Sequence, residues 1–336
     1  MGQKVIKKSL VVGSGNWGTT LAKILGDTDK SVTLWVLEDD VAEDIRTNRL
    51  NSRFLPGVNL PDQILVKTDY ENFDEFDLII LVIPVNATRS FLTKVQKSIL
   101  PNQRILCLSK GIELDTGKRV SQIIQEVLPG FSNIAVLSGP NIANEIAAGK
   151  PALSTVSSHS IELAQQIQEY CSTPDFRIYT NPDLIGVELC GALKNIIAIG
   201  AGICHQLELG DNAIAALITR GIAEIARFGQ RFGANPSTFM GMAGVGDLAV
   251  TCMSPHSRNN RMGRYLAQGF NLEEARGKMN MVSEGVPTCK IVYKLSQKHN
   301  IYMPITEAIY QVLFENLPAC DAVDLLMQSD LKDELH

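Results

Sequence analysis

Residues 9–26, SLVVGSGNWGTTLAKILG, decide the fold. An apolar run ends at Val12, glycines stand at 13, 15 and 18, and a helical pattern follows from Thr19. The spacing is G-x-G-x-x-G between a strand and a helix, the setting in which that motif is informative. Gly13 permits a tight turn, Gly15 lets the backbone approach a pyrophosphate, and Gly18 allows close helix–strand packing. The N–H groups at the start of the helix then face the phosphates. The next apolar run, VTLWVL at 32–37, leads to Glu38, the expected ribose-binding acid, a little beyond the usual ~20 residues. Glu38 would accept from a ribose diol and repel a 2′-phosphate, so the loop leans towards NAD over NADP. A methyltransferase with another nucleotide-like cofactor is the rival reading, although its glycine spacing is usually less regular.

Outward from this loop, apolar runs alternate with amphipathic stretches. LIILVI at 78–83, ILCL at 105–108 and IAVL at 134–137 read as buried strands, and Val156 and Arg177–Tyr179 as further ones. This is the α/β pattern of a doubly wound, Rossmann-type parallel sheet. After Pro182 the strands stop. Gly186–Cys204 and Asp211–Phe232 carry helical patterns, and Pro236 and Pro304 each open another. The expected domains are 1–182, a Rossmann dinucleotide-binding domain, and 183–336, an all-helical domain for substrate binding and catalysis.

That helical half contains a misplaced charge. Residues 186–204 read GVELCGALKNIIAIGAGIC, in which only Glu188, Lys194 and Asn195 are strongly polar. A helix apolar on nearly all sides is buried, and a buried ammonium needs a partner. Glu188 lies six residues away, on another face at about 100° per residue, so the partner must come from another segment. A lysine so held can handle protons. Two other readings stay open on pattern alone: a membrane span by length, disfavoured by the many Gly and Ala residues, and a lysine that snorkels to the surface. Asp247, in the glycine-rich GMAGVGDL at 241–248, is a possible buried partner or a helix N-cap. SPHSRNNRMGR at 254–264 gathers three arginines ahead of a helical stretch, which suits a phosphate dianion. His256 in that segment reads as a solvated histidine rather than a general acid.

Composition is ordinary for a soluble globular protein. The chain has 336 residues, 45% hydrophobic and 20% charged, with a net charge of −5. No basic field is available for nucleic acid or an anionic membrane, so an anionic substrate needs a local basic site. Seven scattered cysteines without a C-x-x-C imply neither a disulfide framework nor a zinc site, and no metal is expected. The short apolar run near the start is a strand rather than a signal peptide, and KDEL is followed by His336, so a cytoplasmic location is expected.

Together the motifs resemble the NAD(P)-dependent glycerol-3-phosphate dehydrogenase family. The resemblance rests on GSGNWGTTLA (13–22), LSKGIE (108–113), LSGPNIANEIA (137–147), NPDLIGVELCGALKNIIAIGAGI (181–203), GMAGVGDLAVTC (241–252), SRNNRMG (257–263), SEG (283–285) and MPITEAIYQVL (303–313). It implies an oxidoreductase that reduces dihydroxyacetone phosphate to sn-glycerol 3-phosphate for phospholipid synthesis, and a cytoplasmic homodimer. It makes Lys194 the proton acceptor in oxidation, supported by Asp247 and Lys110. Ser257, Arg258 and Asn259 would hold the substrate phosphate, with Gly139 and Asn141 lining that site. Asn16, Trp17, Leu37, Lys110, Ala143, Arg258, Val282 and Glu284 would line NAD(P) beside Gly13, Gly15, Gly18 and Glu38. A non-catalytic dinucleotide sensor and a dehydrogenase of another small hydroxy acid are the competing functions.

Overall fold

The structure is a computed structural model that describes residues 5–255, 257–279, 283–328 and 333; His256 and Val282 lie outside the described residues. The chain divides into two units. One comprises Met1–Lys110 with Lys118–Glu188, the other Gly111–Gly117 with Leu189–His336.

The first unit runs β1 (Lys8–Val12), α1 (Asn16–Gly26), β2 (Ser31–Trp35), α2 (Asp39–Asn48), a small hairpin β3 (Leu50–Asn51) and β4 (Leu55–Asn59), then β5 (Leu65–Lys67), β6 (Leu78–Leu81) and α3 (Val85–Val95). It continues through β7 (Arg104–Cys107), α4 (Val120–Val127), β8 (Ile134–Ser138), α5 (Ala143–Ala147), β9 (Ala152–Ser158), α6 (Ile161–Cys171) and β10 (Phe176–Asn181). Among the described residues, eight strands form one sheet in the order β10-β9-β8-β7-β6-β1-β2-β5. From β5 to β8 this is the dinucleotide-fold order 3-2-1-4-5-6, reversing between β1 and β6. Every residue of β6, β7 and β8 is buried, as strands covered on both faces must be. Two strands depart from the expected all-parallel sheet: β9 runs antiparallel to β8, and β10, parallel to β9, shares its reversed direction. Residues 139–151, between β8 and β9, hold one short helix, the five-residue α5, whereas a parallel crossover usually carries a longer one.

The second unit is helical: most of α7 (Leu184–Gln206), α8 (Gly210–Arg231), α9 (Asp247–Met253), α10 (Arg258–Ala267), α11 (Leu272–Gly277), α12 (Gly285–His299), α13 (Pro304–Phe314) and α14 (Ala319–Met327). Pro236 opens a 3-10 turn rather than an α-helix, and a π-helical turn over Met242–Gly246 runs into α9.

Helix α7 is apolar all round because neighbours surround it. It is long and apolar enough to cross a membrane, yet 89% of its apolar window is buried inside the protein. Its small residues let other helices come to backbone contact. A Cβ at Gly202 would lie 1.9 Å from the Asn260 carbonyl oxygen, and one at Gly263 the same distance from that of Ile199. Gly221 of α8 sits over Ile197, Gly285 of α12 over the Asn195 carbonyl, and Ile309 of α13 over Gly200. The glycines and alanines of the motif are thus the packing surface of a central helix. Glu188, on α7 but within the first unit, is satisfied by Arg119 and by the Ser121 amide and hydroxyl at 2.8 and 2.6 Å.

Candidate active site

In the first unit, β1 delivers Gly13 at φ +113°, where a Cβ would stand 2.8 Å from the Val82 carbonyl oxygen. Gly18 packs so tightly that a Cβ would lie 1.9 Å from the Gly13 oxygen. Gly15 differs: no atom of the described residues would meet its Cβ within 4 Å, so none of them requires the bare backbone there. An approaching pyrophosphate does require it, which is the fit expected of a dinucleotide loop.

The remaining first-unit candidates cluster at the carboxyl ends of the strands. Leu37 is exposed and Glu38 half-buried in the turn after β2, and the Ser14 hydroxyl donates to Glu38 at 3.4 Å. Asn16 donates to Asn144 at 2.8 Å, and the Thr20 hydroxyl reaches the Ala143 carbonyl at 3.4 Å, which brings Ala143 to α1. Trp17 packs edge-on against Phe176 with ring centroids 5.9 Å apart, so its ring belongs largely to the core. Among the described residues its indole Nε1 is buried without a partner, as are Asn16 Oδ1 and Asn141 Nδ2. Such groups are costly unless something else satisfies them, and a bound dinucleotide offers acceptors and donors. Lys110, past the end of β7, donates to the Gly139 carbonyl at 3.0 Å. Gly139 has φ +155°, with room for no Cβ beside Ser154, whose hydroxyl donates to Asn141 Oδ1 at 2.5 Å.

In the second unit, Lys194 is 6% exposed and Asp247 1%. The Lys194 ammonium donates to Asp247 Oδ1 and, at 2.7 Å, to the Thr251 hydroxyl. That hydroxyl donates in turn to the Asp247 carbonyl at 2.5 Å. The anomalous lysine is therefore neither snorkelling nor membrane-embedded; it is a buried, paired ammonium. Asp247 is the first residue of α9, and it spends its carboxylate on Lys194 rather than on capping.

Next to this pair, Asn195 accepts from Asn259 Nδ2 at 2.9 Å. Asn259 Oδ1 accepts from the Ser283 hydroxyl at 2.6 Å and the Gly285 amide at 2.9 Å. Ser257 caps α10, accepting the Asn260 amide at 3.3 Å, and Arg258 is the exposed first residue of that helix. Burial raises the Glu284 carboxyl above its ordinary value, and the Arg258 guanidinium pulls it back down. Although Arg258 reaches solvent, desolvation of its guanidinium lowers its pKa, Glu284 raises it and Arg261 lowers it. The structure thus brings Lys194 to Asp247, and Asn259 to Asn195 and Gly285.

Thr251 and Asn195 carried no role in the sequence reading. Thr251 lies one helical turn after Asp247, and that i, i+4 spacing is the signal that could have found it. Asn195 was visible as the second polar residue beside Lys194. Among the described residues, no cluster of His, Cys, Asp and Glu could hold a metal ion.

A sheet in dinucleotide-fold order, a glycine loop bared for a phosphate and a buried paired lysine in a helical second unit define an NAD(P)-type dehydrogenase. Residues 8–164 match the N-terminal family described as NAD-dependent glycerol-3-phosphate dehydrogenase, and residues 183–324 its C-terminal counterpart. The chain belongs to the NAD-dependent glycerol-3-phosphate dehydrogenase family. It is 48% identical to glycerol-3-phosphate dehydrogenase [NAD(P)+] of Bacillus pumilus, over 96% of this chain and 94% of that one. It is 44% identical to the enzyme of the same name from Chlorobium phaeobacteroides, over 98% and 99%. Its fold is similar to a crystal structure of glycerol-3-phosphate dehydrogenase from Coxiella burnetii, with a TM-score of 0.92, 34% identity and coverage of 96% and 99%.

Proposed function

We propose that this chain reversibly reduces dihydroxyacetone phosphate to sn-glycerol 3-phosphate with NAD(P)H, feeding glycerophospholipid synthesis as a cytoplasmic homodimer. The observation that carries the reading is the buried Lys194–Asp247–Thr251 cluster in a chain of this family. The bound nicotinamide supplies the hydride in reduction and takes it up in oxidation. Lys194 gives its proton to the carbonyl oxygen on reduction and recovers it on oxidation. Its ammonium also offsets the negative charge that develops on that oxygen. Asp247 and Thr251 confine the amine to one rotamer, so the proton is positioned before reaction.

Arg258 and the N–H groups that open α10 bind the phosphate dianion, aligning the reacting carbon. The Asn259 side chain is already engaged three times, so its backbone amide serves the phosphate while its side chain holds α10 against α7. Lys110, Gly139 and Asn141 of the first unit are further candidates for substrate binding, and Lys110 also for the cofactor. Glu38 supports NAD over NADP, because its carboxylate accepts from a ribose diol and opposes a phosphate.

One assay tests this. Dihydroxyacetone phosphate should drive oxidation of NADH, and more slowly of NADPH, while small 2-keto acids should not. Turnover of the keto acids instead would make the protein a hydroxy-acid dehydrogenase, and no turnover with any of them would make it a sensor. Arg258→Ala should raise KM for dihydroxyacetone phosphate by about 10- to 100-fold, the loss of a charge-assisted bond, with a smaller effect on kcat. An unchanged KM would remove Arg258 from phosphate binding.

A further inference from the structure

Asn260 stands at the crossing of α7 and α10 and is fully buried. Its backbone oxygen is the atom that excludes any side chain at Gly202, so the two helices touch there. Its side chain makes three bonds. Nδ2 donates to the Cys252 carbonyl at 3.0 Å, Oδ1 accepts from Arg264 Nε at 2.9 Å, and Nδ2 lies 3.1 Å from His205 Nδ1.

The first two bonds decide the third. A carbonyl can only accept and a guanidinium can only donate, so the amide cannot be flipped. Nδ2 therefore presents an N–H to His205, and His205 Nδ1 must be the acceptor. The imidazole is neutral, with its proton on Nε2. A second proton on Nδ1 would set two donors 3.1 Å apart and abolish the bond.

The location makes this bond consequential. Cys252 follows Thr251, which holds Lys194, and Asn260 follows Arg258 and Asn259 on the first turn of α10. One amide thus joins the end of α7, the last turns of α9 and the start of α10. We propose that Asn260 is a positioning residue for the phosphate-binding end of α10, acting only while His205 is neutral. This rests on the phosphate role of Arg258 given above.

The charged and titratable surroundings of His205 act in the same sense on balance. Burial and the Arg264 guanidinium on α10 disfavour its cation, while Asp211 on α8 and the Ala201 carbonyl on α7 favour it, and the net effect is below its ordinary value of 6.5. Cys204, its neighbour on α7, is held protonated by burial, and so is Cys252 on α9, at about 12. A base whose folded value is lowered is neutral in the native network, so the arrangement persists at neutral pH and is lost as pH falls through that lowered value.

Two measurements decide it. The first needs no substrate: NMR titration of His205 and of the Asn260 side-chain amide in the full chain. The Asn260 amide resonances should shift with the midpoint of His205, and Asn260→Ala should move that midpoint upward because the neutral imidazole loses its donor. Amide resonances that stay unchanged while His205 titrates would overturn the proposal, and the wild-type titration decides this even if the alanine variant does not fold. The second is the pH profile of KM for dihydroxyacetone phosphate. KM should rise about tenfold as His205 protonates, the loss of one buried hydrogen bond. His205→Gln, whose amide oxygen can accept at any pH, should lack that rise while keeping the part due to ionisation of the substrate phosphate. Identical profiles for wild type and His205→Gln would overturn the positioning role. Coupled resonances together with an unchanged KM in Arg258→Ala would instead count against phosphate binding at Arg258.

Discussion

Replacing Lys194 with methionine should lower turnover at least about 1,000-fold in both directions, because a positioned acid and a charge facing the developing oxyanion are lost together. NADH should still bind, since the glycine loop belongs to the other unit and does not include this residue. Stability needs a parallel measurement. Methionine leaves the Asp247 carboxylate, 1% exposed, without its cation. Removing one partner of a buried pair typically costs about 3–5 kcal/mol. Lys194→Met combined with Asp247→Asn removes the stranded charge and should recover most of that stability with no recovery of turnover. The comparison separates an inactive fold from an inactive site. Near-normal turnover in folded Lys194→Met protein would remove the lysine from the chemistry.

The largest effect on folding should come from one methyl group at the crossing of α7 and α10. In Gly263→Ala the new Cβ would lie 1.9 Å from the Ile199 carbonyl oxygen and 2.9 Å from the Ile203 nitrogen. Both are backbone atoms of a buried helix, so no side chain can rotate aside. The helices must separate, and the cost should exceed about 3 kcal/mol, the upper end of overpacking penalties. Denaturant unfolding gives this number directly. Gly15→Ala is the contrast: no atom would lie within 4 Å of its Cβ, so unfolding should be nearly unchanged. NADH affinity should fall instead, because the methyl group occupies the approach to the backbone. Equal stability of Gly263→Ala and wild type would mean that the crossing is looser than its geometry states.

Features set by neighbouring residues were legible before any coordinates. The G-x-G-x-x-G loop combines a turn, a close contact and a helix start within six residues, so local sterics leave few alternatives. The continuous apolar runs of β6, β7 and β8 announced strands covered on both faces, and the apolar α7 announced a central helix around its single lysine. The glycines at 202 and 263 were visible too, although their purpose was not: each answers to a carbonyl about sixty residues away in the chain.

What the sequence left open were pairings across long separations. Asp247 was one candidate for Lys194, and Thr251 was none; the structure brings both to the amine from 53 and 57 residues away. Glu188 had no assigned partner, and Arg119 with Ser121 supplies it from 69 and 67 residues upstream. The reversal of β9 against β8 leaves no mark in the strand's composition, because side chains alternate between faces in either direction. Periodicity and turn chemistry act over a few residues, so the sequence by itself determined the dinucleotide loop, the helical second half and the presence of a buried charge. Which groups meet that charge, and which atom of His205 faces Asn260, depends on helices packed at backbone distance, and only the tertiary structure decided it.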